Sequence, residues 1–263
     1  MSLQSYFMNN LYLQKLTALF LLLSFLPGCD QGTSPPHSDS PKASAGTPID
    51  PATTGSISGT INFTGTPPPR ATIDMDMDMG CSLAAKSPNL AETVIANQGK
   101  LQNVFVYVKD GLEGYAIAKP SQPAVLDQVG CRYTPHVLGL VAGQTLRILN
   151  SDSTMHNVHP VPKNNQQWNE SQMPKGEPKQ RTFANPELLL PITCNQHPWM
   201  KMYVNVVSNP FFAVSDDKGN FTIQGLPPGT YTIAAVHEKL GTQEMKVTVA
   251  PKQNQPINFT FKQ

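Results

Sequence analysis

The sequence predicts an all-β protein, on three observations. Prolines and glycines are dense, 25 and 18 in 263 residues, and both disfavour helix interiors while marking turns. Beyond residue 55 no segment sustains a 3.6-residue apolar period. Short runs of alternating apolar and polar residues recur instead, bounded by Gly, Pro and Asn. The 19 basic and 18 acidic residues leave a net charge of +1, so electrostatics favour neither nucleic acid nor an anionic surface as a partner.

The first 28 residues read as a targeting segment. Leu16 to Leu26, "LTALFLLLSFL", is an apolar run of 11 residues after Lys15. It is too short to span a bilayer as a helix but suits the apolar region of a signal peptide. "LPGCD" follows and resembles the lipobox of bacterial lipoproteins, which implies lipidation of Cys29, a mature chain starting there, and a periplasmic or cell-surface location on a membrane. The alternative is an ordinary secretory signal with an unrelated cysteine. Residues 29–54 are rich in Pro, Ser and Thr with almost no large apolar residue, so a flexible tether is expected, with His37 solvated in it.

Strand-like runs begin at "GSISGTINFTG", residues 55–65, and recur at "LQNVFVYVKD", residues 101–110. Between them lies "DMDMDMGC", residues 74–81. On a strand, Met75, Met77 and Met79 would share one face and the aspartates the other. The methionines are expected to pack inward; a thioether row that holds Cu(I) is the alternative.

Cysteine usage narrows the chemistry. With Cys29 lipidated, Cys81, Cys131 and Cys194 remain in an oxidising compartment, and three thiols cannot all pair within one chain. Cys81 and Cys131 have no His or Met at ligand spacing on their C-terminal side, so a Cys81–Cys131 disulfide is the preferred pairing and Cys194 the free thiolate. A disulfide that uses Cys194 stays open as the alternative.

Cys194 sits in "CNQHPWM", which spaces Cys194, His197 and Met200 three residues apart. A thiolate, an imidazole and a thioether are donors that a soft, redox-active metal prefers. Upstream, "HVLGLVAGQTLRILNSDSTMHNVHPV" reads as strand, turn, strand and polar turn leading to His156. Downstream, "MYVNVVS" from Met202 to Ser208 alternates as a strand does. No strand is assigned in the polar stretch from Lys163 to Arg181.

These residues carry a resemblance. "GQTLRILNSDSTMHNVH" with "CNQHPWM" and "YVNV" is similar to the cupredoxin, or blue copper, family, and the Cys-x-x-His-x-x-Met spacing is similar to that of amicyanin. The resemblance implies a Greek-key β-sandwich over residues 123–208. It implies a mononuclear type 1 copper site held by His156, Cys194, His197 and an axial Met200, with Asn157 bracing the cysteine loop. It further implies that His197 reaches the surface as the electron's exit. Ile192 and Met202 stand where the family usually carries an aromatic and a small residue. His159 is expected at the surface near the site, His136 as a hydrogen-bonded residue at a strand start, and Trp199 as a shield or rim residue.

The C-terminal run "GNFTIQGLPPGTYTIAAVHEKLGTQEMKVTVAPKQNQPINFTF" has strands expected at Phe221–Gln224, Thr230–Val236, Gln243–Val249 and Ile257–Phe261. Pro228 and Gly229 suit the centre of a type II turn. The stretch from Gly219 to Tyr231 resembles the carboxypeptidase regulatory-like, transthyretin-like sandwich, in which His237 would be structural. That module usually opens with a strand like the one at 55–65. The expected organisation is therefore a cupredoxin inserted into a second sandwich made of residues 55–122 and 209–263; two domains in series is the alternative.

Together the resemblances imply an electron carrier, not an enzyme: a lipid-anchored type 1 copper protein that serves redox protein partners. A copper-delivery protein without a redox circuit, and a surface interaction module, are the competing functions.

Overall fold

The computed structural model describes residues 46–85 and 88–263. The signal peptide, Cys29, His37 and the tether up to residue 45 lie outside the described residues. Among the described residues there are twenty strands and one helix, the six-residue Met79–Ala84, so the chain is all-β.

One pair of sheets joins the two ends of the chain. Gly55–Thr64 pairs with Asn220–Leu226 on one side and runs parallel to Asn254–Lys262 on the other. Phe105–Asp110 lies between Phe212–Val214 and Gly229–His237, and Gly241–Val249 completes that sheet. Asn254–Lys262 buries Ile257, Phe259 and Phe261 at alternate positions and exposes the residues between them. Those residues meet Ile57, Ile61, Val106, Val108, Phe221 and Ile233 in one apolar core. Each such side chain contributes about 1.5–3 kcal/mol when fully buried, so this face sets the register: a one-residue slip would expose all of it.

Residues 124–207 build the second pair of sheets. Lys179–Arg181, Leu146–Asn150, Ala124–Gln128 and Tyr133–Thr134 form one, in that order. The other runs Glu170–Gln172, His156–Pro160, Glu187–Thr193, Lys201–Val207 and Val137–Val141. Their shared core holds Leu126, Leu140, Leu146, Ile148, Val158, Leu190 and Val204. Because strands before residue 111 and after residue 211 share the first pair of sheets, the second pair is inserted in the sequence of the first. The two meet where Phe105, Val137 and Val207 pack with Tyr107 and Phe212. Gly139 is required there, since a Cβ would fall 2.5 Å from the Phe105 ring and 2.6 Å from that of Phe212.

Several sequence-based expectations are corrected. The tether does not extend to residue 54: Thr47–Pro48 pairs with Tyr115–Ala116, and Ile49 packs against the first core. The stretch 55–122 does not all serve the first sandwich, because Met75 and Cys81 belong to the core of the second. The Asp–Met repeat is not a strand. Asp74 Oδ1 accepts the Asp76 N–H at 2.9 Å, and Asp78 caps the helix by accepting the Cys81 N–H at 3.0 Å. Aspartates that bond nearby backbone in this way favour turns and caps over a ladder. Only Met75 is buried; Met77 and Met79 are 77% and 75% exposed.

The stretch from Lys163 to Arg181 supplies an edge strand to each sheet of the insert, and Lys179–Arg181 is exposed throughout, so no alternation marks it. His156 follows the Leu146–Asn150 strand across a polar turn, as expected, and itself opens the next strand. The left-handed glycine before the Thr230 strand is Gly225, with φ +76°, where the pairing register shifts, and not Gly229.

Candidate metal centre

The site forms at one end of the inserted sandwich because three neighbouring strands end or begin there. His156–Pro160 pairs with Glu187–Thr193 through His159 and Thr193, and Glu187–Thr193 pairs with Lys201–Val207. Cys194 directly follows the middle strand. The loop to Lys201 closes on itself, with the Met200 N–H donating to the His197 carbonyl at 2.9 Å and the Cys194 N–H to the Met200 carbonyl at 3.3 Å. Ile192 and Met202 are cross-strand partners behind this loop, both fully buried. The two departures from the family's pattern therefore fall at one packing contact.

The donor atoms converge. The Nδ1 atoms of His156 and His197 are 2.9 Å apart, and Cys194 Sγ is 3.6 Å from His197 Nδ1. One donor atom from each of His156, Cys194 and His197 lies within 4.8 Å of the others. His156, Cys194, His197 and Met200 are all buried. Met200 shares the core cluster with Cys194. Two imidazoles and a thiolate aimed at one point fit a copper or zinc ion by donor type.

Electrostatics prepare the thiolate. Burial opposes ionisation of Cys194, but the His156 ring and backbone N–H groups, that of Asn157 foremost, outweigh it and bring the thiol down to about 6. Burial also opposes a charge on His156, yet Asp152 and Cys194 hold it up at about 9. His156 and Cys194 thus form one imidazolium–thiolate pair. Burial first, then the charge on Cys194, push the Tyr133 hydroxyl far up, so it stays a neutral donor to the Asn157 carbonyl.

Each histidine is braced on its outer nitrogen. His156 Nε2 lies 2.9 Å from Asp152 Oδ2, and His197 Nε2 lies 3.2 Å from Asp78 Oδ2. Both carboxyls are held below the usual range. For Asp78 the Cys81 N–H is the main cause; for Asp152, burial is outweighed by His156 and by the backbone of Cys131 and Gly130. Asn157 Oδ1 accepts the Asn195 N–H at 2.9 Å and lies 3.3 Å from Cys194 Sγ, from which it accepts only while the thiol is protonated, and its Nδ2 donates to Asn169.

Cys81 and Cys131 are joined in a disulfide, and Cys194 is the free cysteine among the described residues. Two other groups of possible ligands, Asp78 with Cys81 and His197 and Asp152 with Cys131 and His156, each count a disulfide sulfur and so lack a thiolate.

The remaining histidines stand apart. His159 is engaged by Asn195 and Gln167, and His136 by Glu238. His237 accepts the Lys239 and Leu240 N–H groups, with burial lowering it to about 4. Trp199 sets its ring 5.1 Å from that of His197 and donates to the Cys131 carbonyl.

His197 does not reach the surface. It is 2% exposed, because Asp78 and Trp199 lie against it. Sequence reasoning missed both braces. Asp152 had a signal, four residues before His156 in "NSDSTMH"; Asp78 is 119 residues from its partner and had none.

Residues 201–262 match the carboxypeptidase regulatory-like domain family. Among curated proteins, none matches this sequence. Similar solved structures include a Cu-containing nitrite reductase from Thermus scotoductus SA-01, 23% identical over 34% of this chain with a TM-score of 0.31. This chain covers 23% of that enzyme's length. A purple cupredoxin from Nitrosopumilus maritimus is 22% identical over 32% of this chain and 98% of its own, with a TM-score of 0.27. A reduced Cu(I) form of an amicyanin variant is 22% identical over 33% of this chain and 84% of its own, with a TM-score of 0.30.

Proposed function

We propose that this protein is a type 1 copper protein that carries electrons between redox protein partners, held at a membrane outside the cytoplasm by lipid on Cys29. The observation that carries the copper reading is the buried convergence of His156, Cys194 and His197, with the thiol already lowered to about 6. Bound copper would supply a one-electron couple. Cys194 provides the thiolate without a large deprotonation cost near neutral pH. His156 and His197 are oriented by carboxylates on their outer nitrogens, which fixes the ring nitrogen that faces the site. Asn157 Oδ1 holds the Asn195 N–H, next to the cysteine, so the loop changes little when charge at the site changes. Met200 would add a weak thioether donor, a role assigned from its place in the loop and its burial. No residue is assigned a catalytic role, and nucleic acid is not assigned as a partner.

A copper-delivery role is the second reading. It is favoured by the exposed thioethers of Met77 and Met79, which flank Asp78 in sequence.

The test is the visible spectrum of purified protein loaded with Cu(II). An intense thiolate-to-copper charge-transfer band is expected, and Cys194→Ser abolishes it. A colourless Cu(II)-loaded protein, or firm preference for zinc from copper-replete cells, overturns the reading. Ready surrender of Cu(I) to an apo-acceptor with sluggish electron self-exchange moves the assignment to delivery.

A further inference from the structure

We propose that residues 74–84 form a cap over the metal centre, in which Asp78 is the positioning residue for His197 and the Cys81–Cys131 disulfide anchors the braces of both histidines. The tuning part of this proposal rests on the copper reading; the cap itself does not.

The argument starts from the two nitrogens of His197. Nδ1 faces the other donors, 2.9 Å from His156 Nδ1 and 3.6 Å from Cys194 Sγ. Nε2 meets Asp78 Oδ2 at 3.2 Å instead of water. The other oxygen of the same carboxylate, Oδ1, accepts the Cys81 N–H at 3.0 Å. Asp78 thus ties the start of the short helix to a metal-ligand candidate.

The second half of the disulfide does the same for the second histidine. The Cys131 N–H donates to Asp152 Oδ2 at 2.8 Å, and that oxygen is 2.9 Å from His156 Nε2. The Cys131 carbonyl accepts from Trp199 Nε1 at 3.1 Å, and the Trp199 ring lies 5.1 Å from that of His197. One covalent link, between residues 50 apart, therefore joins the backbone groups that hold Asp78, Asp152 and Trp199. Cys81 and Met75 are buried in the same core as Cys194 and Met200, which seats the cap from below. Met77 and Met79 stay exposed, so an approaching partner meets the cap and not the imidazole edge.

A carboxylate that accepts the outer N–H of a ligating histidine fixes its tautomer and raises its basicity. Its negative charge also favours the more highly charged oxidation state of a bound ion. The amide in Asp78→Asn keeps an acceptor of the same shape but removes the charge.

Two measurements separate the cap from the copper reading. In metal-free protein, His197 modification by diethyl pyrocarbonate is followed by peptide mass, with His159 as internal reference. His197 reacts slowly in the wild type and faster in Asp78→Ala and in the Cys81→Ser/Cys131→Ser double variant, whose folding is checked by circular dichroism. Equal rates in wild type and Asp78→Ala overturn the cap, whether or not copper binds. In Cu(II)-loaded protein, Asp78→Asn retains the charge-transfer band, raises the reduction potential and weakens Cu(II) binding about 10- to 100-fold. Unchanged affinity and potential overturn the positioning role. A wild type that shows no charge-transfer band overturns the copper reading and the tuning with it, while His197 reactivity decides the cap alone.

Discussion

The two sandwiches bury polar groups in different ways. In the sandwich built from the chain ends, the buried polar residues Asn209, Ser215 and His237 bond to backbone. Asn209 Nδ2 donates to the Val108 carbonyl, Ser215 Oγ bridges Leu101 and Val104, and His237 accepts two turn N–H groups. In the inserted sandwich, buried side chains also bond to one another. Gln128 donates to Gln172, Cys194 Sγ lies 3.3 Å from Asn157 Oδ1, and the two histidines lie nitrogen to nitrogen beside Cys194. Polar groups that satisfy backbone stabilise a fold at no chemical expense. Ionisable groups gathered in a core cost free energy unless paired, and here they are gathered around one point. The difference separates a scaffold from a site.

The comparison breaks most sharply under deletion of core volume. Phe259→Ala empties part of the apolar core and costs about 3–5 kcal/mol, measured as a fall in the urea midpoint. The Cu(II) spectrum of the folded protein stays unchanged, because Phe259 belongs only to the first core. A displaced band would mean that the two sandwiches do not divide the work in this way.

A matched pair of polar deletions is smaller and sharper. Asn157→Ala and Asn209→Ala each leave buried partners unsatisfied and cost about 1–3 kcal/mol in equilibrium unfolding. Only Asn157→Ala shifts the charge-transfer band, since Asn157 holds the Asn195 N–H beside Cys194. Equal spectra in the two variants would place the bracing elsewhere.

The smallest effect is read in metal-free protein by ultraviolet thiolate absorption. Cys194 titrates with a midpoint near 6 instead of the ordinary 9.0. Its folded value is depressed, so its contribution to stability is complete above about 9 and is lost as pH falls through about 6. His156 is raised from 6.5 to about 9, so its contribution is complete below 6.5 and is lost as pH rises through about 9. The pair therefore stabilises the metal-free protein most between those limits. A midpoint near 9.0 would remove the electrostatic distinction between the two regions.

What the sequence determined by itself was local or periodic. Alternation along Ile257–Phe261 and the dense turn residues marked an all-β chain, because a period of two reports directly which face is buried. The three-residue spacing of Cys194, His197 and Met200 placed three donors in one loop; the alternation read from Met202 to Ser208 marked the strand after it, although that strand is buried on both faces from Met202 to Val207. His156 entered by resemblance, 38 residues before Cys194, and only the register of His159 with Thr193 brought it to the loop.

Other features had no local trace. The edge strands at Glu170–Gln172 and Lys179–Arg181 face too little core to leave a pattern. The Asp–Met repeat carried a strand's period, yet its aspartates found nearby backbone donors and made a turn and a helix cap. That Asp78 covers His197, and that one disulfide supports the carboxylates behind both histidines, depended on contacts between segments far apart in the chain. Such contacts form when segments distant in sequence pack into one core, and neither segment encodes the other's position, so the packing of the folded chain decides them.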